Sequence, residues 1–405
     1  MEEKKLVPKL RFPGFTEPWE QRKFGELFLE RREKTTEENE DILLSCAITG
    51  IYLNSDLFSH FRGSSTVGYL KVRKNDLILS AQNLHLGNAN INFNFEHGMI
   101  SPAYKVFEIE SCDPYFVNAW VKKDSTKIFF LKVTTEGASQ CRKNIDWDAL
   151  INQDLLTPNA FEQEAIGKFF YQLDRYITLH QRKLEHLKLK KKSLLQKLFP
   201  KEGEVNPELR FPGFTGSWEQ RKLGDLADGV FGGGTPKTSI DTYWNGSIPW
   251  IQSSNLMDDK IENFINDKSI TNLAIKESAT KLIPANSIAI VTRVGVGKVA
   301  LIREKFATSQ DFLSFYCRHE HNPLFMAYQI SRLMKVKSRL LQGTSIKGIT
   351  KSEVLESEVL IPKGAEEEIK IADFLSSCDT LITLHQRKLE HLQLLKKALL
   401  QQLFV

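Results

Sequence analysis

The apolar positions of the chain predict two long amphipathic helices. In each, apolar residues recur at steps of four and three in strict alternation, the a/d seam of a coiled coil. The first seam consists of Leu173, Ile177, His180, Leu184, Leu187, Lys191, Leu194 and Leu198. The second repeats it position for position at Cys378, Ile382, His385, Leu389, Leu392, Lys396, Leu399 and Leu403. We expect antiparallel pairing of the two helices, rather than each packing alone on its own domain.

The seams are parts of a repeat that covers the whole chain. The pattern LRFPGFTxxWEQRKxGxL occupies residues 10–27 and 209–226, and ITLHQRKLEHLxLxKKxLLQxLF occupies 177–199 and 382–404. A period of about 200 residues is too long for a solenoid, whose repeats are roughly 20 to 50 residues. Plain duplication with two redundant domains is the alternative, but redundancy would not keep this frame nearly identical while the intervening sequences diverge.

The intervening blocks, 22–158 and 221–362, read as mixed α and β, because short apolar runs alternate with Gly, Asn, Ser and Pro. They also share a weak plan, in which residues 74–87 align with 284–297, 97–107 with 305–315, and 134–139 with 340–345. We therefore predict one α+β fold used twice in a pseudo-twofold arrangement. The predicted segments are a first lead and domain (1–158), a helix (159–200), a second lead and domain (201–362) and a second helix (363–405).

Composition indicates a globular protein. The chain has 405 residues, 41% of them hydrophobic, and a formal charge of +5. Eight basic residues stand against one acidic residue, Glu185, within 182–201; such a run is usually a solvated helix face and less often a strip facing a polyanion. Five cysteines without CxxC spacing predict neither disulfides nor a zinc site. No secretory signal or membrane span is evident, so we expect a cytoplasmic protein.

Catalytic motifs are incomplete. GVGK at 295–298 lacks the glycine spacing and the Ser or Thr of a phosphate-binding loop. NPLF at 322–325 lacks the second proline of an adenine methyltransferase signature, and FGGGTP at 231–236 lacks the dinucleotide-binding pattern. The helical histidines have no neighbouring carboxylates in the spacing of a metal site. The sequence therefore predicts a non-catalytic protein without a cofactor or a metal of its own.

Several stretches together resemble one family. They are the RFPGF lead, the helix run that starts AFEQEAIGKFF, GGGTPKTSIDTYWNGSIPWIQSSN, TRVGVGK and LLQGTSIKGITKSEV. In this order, and duplicated, they resemble the specificity subunit of a prokaryotic type I restriction-modification system. The resemblance implies two target recognition domains that each read half of a bipartite, asymmetric DNA site, with the paired helices setting the unread spacer. It also implies docking of two methylation subunits, and of restriction subunits in the full complex. S-adenosylmethionine, ATP and magnesium would belong to those partners.

The predicted length of the helices is consistent with this resemblance. Residues 173–198 would extend about 40 Å at ~1.5 Å per residue, slightly more than one turn of duplex DNA, roughly 34 Å. A rod of this length can hold two reading domains over one duplex.

Base reading requires hydrogen-bonding side chains on short loops. Arg293 is the strongest candidate, because its guanidinium can engage guanine O6 and N7 together; its alternative is a surface arginine paired with a carboxylate. Trp244 and Trp250 are more typical of a core. The other candidates in the second block are Thr235, Lys237, Gln252, Ser253, Ser254, Asn255, Lys298, Gln310, Asp311, Thr344, Ser345 and Lys347.

The corresponding loop of the first block, SAQNLHLGN, lacks the Arg and Lys of TRVGVGK. Gln82 and Asn83 suit adenine edges, and a turn role is equally plausible for them. The other candidates there are Lys34, Arg73, Lys74, His85, Asn88 and Ser139. One rival function stays open at this point: a coiled-coil assembly adaptor that does not bind nucleic acid.

Overall fold

A computed structural model describes residues 6–59, 65–139, 142–341 and 348–405. The fold is α+β, as predicted. The chain divides into two compact units: unit 1 comprises Met1–Lys183 and Gln386–Val405, and unit 2 comprises Leu184–His385. Both long helices are present, as helix α6 (Ala160–Lys197) and helix α10 (Ala365–Gln402). Each unit contains a part of each long helix. The boundaries between the units therefore lie within the two helices, which the sequence analysis treats as segments separate from the domains.

Unit 1 contains twelve described strands and five shorter helices. The strands are β1 (Glu20–Lys23), β2 (Phe28–Arg31), β3 (Leu43–Ala47), β4 (Gly50–Leu53), β5 (Leu70–Arg73), β6 (Leu77–Ser80), β7 (Ala89–Ile91), β8 (His97–Ile100), β9 (Tyr104–Ile109), β10 (Thr134–Ser139), β11 (Arg142–Ile145) and β12 (Asp154–Thr157). The helices are α1 (Phe24–Leu27), α2 (Asn54–Leu57), α3 (Pro114–Lys122), α4 (Asp124–Leu131) and α5 (Trp147–Ile151).

Unit 2 contains nine described strands and three shorter helices. The strands are β13 (Glu219–Lys222), β14 (Ala227–Gly232), β15 (Trp244–Ile251), β16 (Ser269–Ile270), β17 (Ser287–Val291), β18 (Val299–Ile302), β19 (Ala307–Thr308), β20 (Phe312–Cys317) and β21 (Glu358–Ile361). The helices are α7 (Asn272–Glu277), α8 (Pro323–Leu341) and α9 (Lys351–Leu355).

The two units share one sheet plan. The main sheet has the order β2-β9-β6-β7 in unit 1 and β14-β20-β17-β18 in unit 2. A second sheet contains one parallel pair in each unit, β3 with β8 and β15 with β19. The first two sequence alignments therefore join equivalent strands. The third is weaker, because residues 134–139 form strand β10 whereas Leu340 lies in helix α8.

The end of each long helix is buried in an aromatic socket. In unit 1, Phe404 packs against Trp19 of the lead, Phe116 of α3 and Phe170 of α6, with ring centroids 5.3 to 6.2 Å apart. Lys123 closes this socket, since its Nζ donates to the Val405 carbonyl at 2.7 Å and lies over the Phe404 ring. The repeated lead and the repeated helix end thus meet in one core.

The socket of unit 2 is built in the same way. Phe199 stacks on Phe325 at 5.5 Å and meets the edge of Trp218 at 6.0 Å. Arg332 replaces the lysine: its guanidinium lies 4.5 Å from the Phe199 ring and donates to the Pro200 carbonyl. Burial of Arg332 lowers its pKa to about 10.

Inside each unit the helix segments pair in antiparallel orientation, as predicted. In unit 1, Lys396 of α10 bonds Asp174 of α6 at 2.6 Å, and Phe404, just beyond the end of α10, contacts Phe170, which precedes Asp174 on α6. In unit 2, Lys191 bonds Asp379, whose second oxygen accepts a 2.6 Å hydrogen bond from Tyr328. The seam lysines predicted from the heptads, Lys191 and Lys396, therefore form ion pairs across the helices, which selects one register.

Truncating Phe404 to alanine should destabilise unit 1 by about 3 to 5 kcal/mol, because removal of a buried aromatic ring leaves a cavity. Urea unfolding, with hydrogen exchange at residues 10–27, measures the loss. Leu394→Ala is the matched control on the same helix, since Leu394 is 69% exposed. Equal effects of the two substitutions would contradict the socket.

Candidate nucleic-acid interface

A tight loop at 292–298 connects β17 and β18 at the edge of the main sheet of unit 2. The Val291 N–H donates to the Lys298 carbonyl at 2.9 Å and closes the loop. Gly295 and Gly297 have φ values of +83° and +107°, a conformation that L side chains rarely adopt. A side chain at Gly297 would also press on Ser338 of α8 at 3.2 Å. The glycines therefore fix how Arg293 is presented.

A second loop lies beside the first. Residues 252–255 form a short turn, in which Asn255 accepts a hydrogen bond from the Gln252 N–H at 2.8 Å and donates to Asp267 at 2.9 Å. A Cβ built on Gly295 would lie 4.0 Å from that of Ser253, so the two loops are neighbours. The structure thus brings together two sets of residues that the sequence singled out separately.

A third loop, residues 233–235, lies beside these two. Gly233 lies so close to the Ser309 carbonyl that a Cβ there would approach it to 1.8 Å, which only glycine allows. The next glycine, Gly234, donates its N–H to the Thr308 carbonyl at 2.8 Å. Thr235 then donates to Gln310 at 2.6 Å. The three loops meet near the end of β15, because the Ser309 N–H bonds the carbonyl of Ile251.

The candidate side chains of unit 2 differ in their exposure to solvent. The side chains of five of them are exposed: Thr235, Lys237, Ser254, Arg293 and Gln310. Arg293 forms no ion pair within the described ranges, so the carboxylate partner of the alternative interpretation is not seen there. Asn255 is buried, and Lys298 donates to the Leu256 carbonyl at 2.9 Å; both side chains hold the loops. Trp250 is buried and bonds the Gly234 carbonyl, as a core residue would.

In unit 1 the equivalent hairpin loop, between β6 and β7, contains Gln82, Asn83, His85 and Asn88. Gln82 is exposed, whereas Asn88 is buried and exchanges hydrogen bonds with Cys46. Burial lowers the pKa of His85, and the nearby Lys143 lowers it further. Sequence reasoning did not single out Lys143, because it joins this loop only through the fold.

The other candidates of unit 1 lie elsewhere. Arg73 pairs with Glu33 at 2.8 Å, Lys74 pairs with Glu96, and exposed Lys34 forms a bridge to Leu70. They lie in or beside β5, the edge strand of the second sheet, and are separate from the hairpin loop. The backbone of Ser139 ends β10, and Thr344, Ser345 and Lys347 lie outside the described residues. DNA contact by any of these candidates stays a prediction.

The structure therefore shows one α+β topology used twice. Each unit has its own polar hairpin loop and contains parts of the two similar long helices. The family model described as "Type I restriction modification DNA specificity domain" matches residues 216–394. This segment, which is less than half of the chain, is therefore similar to that domain. Within the described residues, no helix is both long and apolar enough to cross a membrane.

Individual relatives agree with the family. The chain is 28% identical over 191 residues to the type I restriction enzyme MjaIX specificity subunit of Methanocaldococcus jannaschii, covering 46% of this chain and 44% of the relative. It is 31% identical over 223 residues to the EcoR124I/EcoR124II specificity subunit of Escherichia coli, covering 52% and 50%. The chain therefore spans about half the length of these relatives.

A solved S subunit of the type I restriction-modification system of M. genitalium has the same fold. The two chains superpose with a TM-score of 0.64 at 14% identity, over 98% of this chain and 99% of the other. The likeness thus extends to the first half of the chain, which the family model does not cover.

Asn255→Ala should lower the thermal midpoint of unit 2, since it leaves the Gln252 N–H and Asp267 without their partner at a cost of about 1 to 3 kcal/mol. Differential scanning calorimetry measures the shift. Ser254→Ala, at an exposed neighbour, is the control, and a midpoint unchanged in both variants would argue against the turn as a fixed platform.

Proposed function

We propose that this chain is the DNA sequence-specificity subunit of a type I restriction-modification complex. The observation that carries the proposal is the pair of equivalent hairpin loops, 81–88 and 292–298, at the same position in two sheets of one topology. The loops have unlike side chains, whereas the helices of the repeat are nearly identical. One scaffold with two different reading surfaces is what a bipartite, asymmetric DNA site requires.

In unit 2, Arg293 is proposed to read a base. Its side chain is exposed and carries no internal ion pair in the described part of the chain, so its donors are available. The glycine turn beside it restricts the backbone and lowers the entropic cost of binding. Thr235, Gln310 and Ser254 supply neutral donors and acceptors on the adjoining loops. In unit 1, Gln82 and Asn83 are proposed to play the corresponding role.

Two methylation subunits are proposed to dock on the helices. Support comes from apolar residues that are exposed at equivalent positions of both: Leu179 is 61% and Leu384 60% exposed, and Leu189 and Leu394 are 67% and 69% exposed. A solvated helix face has little reason to keep large apolar residues at the same positions twice. Two like surfaces on one chain fit two copies of one partner.

The chain is proposed to be non-catalytic and cytoplasmic, where prokaryotic DNA is found. Methyl transfer, DNA translocation and cleavage, with S-adenosylmethionine, ATP and magnesium, are assigned to the methylation and restriction subunits. The paired helices are proposed to set the length of the unread spacer.

Arg293→Ala should relax base preference in one half-site only, because a bidentate arginine contributes about 1 to 3 kcal/mol of discrimination at one base pair. Sequencing of methylated adenines in cells that express the variant with its methylation subunits reads both half-sites at once. Arg221→Ala, which removes an exposed arginine paired with Glu219, is the control. Equal loss at both half-sites would refute two independent readers.

The purified chain, incubated with duplex DNA, S-adenosylmethionine, ATP and magnesium, should show no methylation and no cleavage. Addition of the methylation subunits should restore adenine methylation. Mass spectrometry of the DNA detects the product, and turnover by the chain alone would reject a purely recognitional role.

A further inference from the structure

The two long helices are similar in sequence but differ in net charge. Helix α6 contains nine basic and four acidic residues, a net charge of +5, which equals that of the whole chain. Helix α10 contains five basic and six acidic residues, a net charge of −1. Over the nearly identical stretch, Lys188, Lys190 and Lys197 of α6 are replaced by Gln393, Leu395 and Gln402 of α10. Docking of two identical partners does not explain lysines present in only one copy.

Two of the lysines of α6 lie on one side of the helix in unit 2. Lys188 and Lys192 are four residues apart, and residues at this spacing are neighbours on a helix surface. Both are exposed, and neither forms an ion pair with any described residue. Their α10 counterparts carry less free charge, because Gln393 is neutral and Lys397 pairs with Asp124.

This side of α6 is connected to the candidate reading loop through contacts inside unit 2. Ser338 of α8 lies beside Gly297 of the loop, 3.2 Å from where a Cβ on that glycine would be, and Lys335, one turn earlier on the same helix, bonds Asp259. The Asp259 carbonyl accepts from Lys191 at 3.2 Å. Burial raises the pKa of the Asp259 carboxyl, but the nearby positive charges of Lys335, Lys191 and Lys192 outweigh this effect and lower the pKa. Lys192 therefore lies near Asp259, which connects α6 to α8 and, through α8, to the loop, and Lys188 lies one turn before Lys192 on α6.

We propose that Lys188 and Lys192 contact the phosphate backbone of DNA next to the half-site read by unit 2, independently of base sequence. The proposal rests on the DNA-reading function proposed above and adds the surface that holds the flanking duplex. Lysine suits this role because its ammonium acts as a mobile point charge toward phosphate without selecting a base. Each phosphate contact releases counterions, so the contact has a salt signature of its own.

The test uses the full chain with its methylation subunits bound and a mixed-sequence duplex, so the target site need not be known. Binding is measured from 0.05 to 0.3 M salt, as an experimental range that resolves the slope of log affinity against log salt. Lys188→Gln/Lys192→Gln should reduce the slope by about 1.8 and weaken binding about 30-fold near 0.15 M salt. Glutamine fits the Lys188 position, since α10 has Gln393 at the equivalent place, and Lys192 is exposed, so glutamine there removes no packing.

The matched control is Lys190→Gln/Lys197→Gln, which removes the same charge from the same helix on its other side. Its slope should stay close to the wild-type value. Equal slopes for wild type and Lys188→Gln/Lys192→Gln, or equal reductions in both double variants, overturn the contact. Loss of methylation subunits with an unchanged DNA slope also overturns it, in favour of a protein contact. A wild-type complex without salt-dependent DNA binding instead rejects the underlying function.

Discussion

Burial of the Leu-Phe ends of the two long helices is the interaction on which each unit depends. Phe404 and Phe199 enter sockets whose walls come from a lead, a domain helix and the other long helix. These parts are far apart in sequence, so the socket closes long loops that only a large apolar contact offsets. If the lead and the helix end packed separately, their sequences could change independently of each other. Their joint repetition is explained by one shared core.

Ion pairs between the helices fix the register of this apolar association. A heptad seam of leucines alone allows several alignments, whereas Lys396 with Asp174 and Lys191 with Asp379 are satisfied in one. Lys191 is buried, and leaving a buried charge unpaired is costly, so a shifted register is penalised even where its apolar contacts survive. The proposed role of the helices in setting the spacer length requires a fixed register, because helices that could shift along each other would not keep a constant distance.

The two candidate reading loops are built on a different principle from the helix ends. At 292–298 and 81–88 the backbone is fixed by glycine turns and internal hydrogen bonds, while the exposed side chains between the fixed points are not used for packing. Residues such as Asn255 and Asn88 stabilise the loops from inside. Exposed residues such as Arg293 and Gln82 can therefore change without loss of the fold, as the proposed recognition function requires.

The sequence by itself determined the long helices, their seams, the duplication and the shared α+β plan, because periodicity and repetition are local or directly countable properties. It also placed the two hairpin loops. Only the tertiary structure decided that Asn88 and Asn255 are buried while Arg293 is exposed, that Lys143 joins the first loop, and that Asp174 and Asp379 pair with the seam lysines. Burial and pairing depend on which distant segments meet, and a polar residue in a loop looks the same in sequence whether it faces solvent or a neighbouring turn.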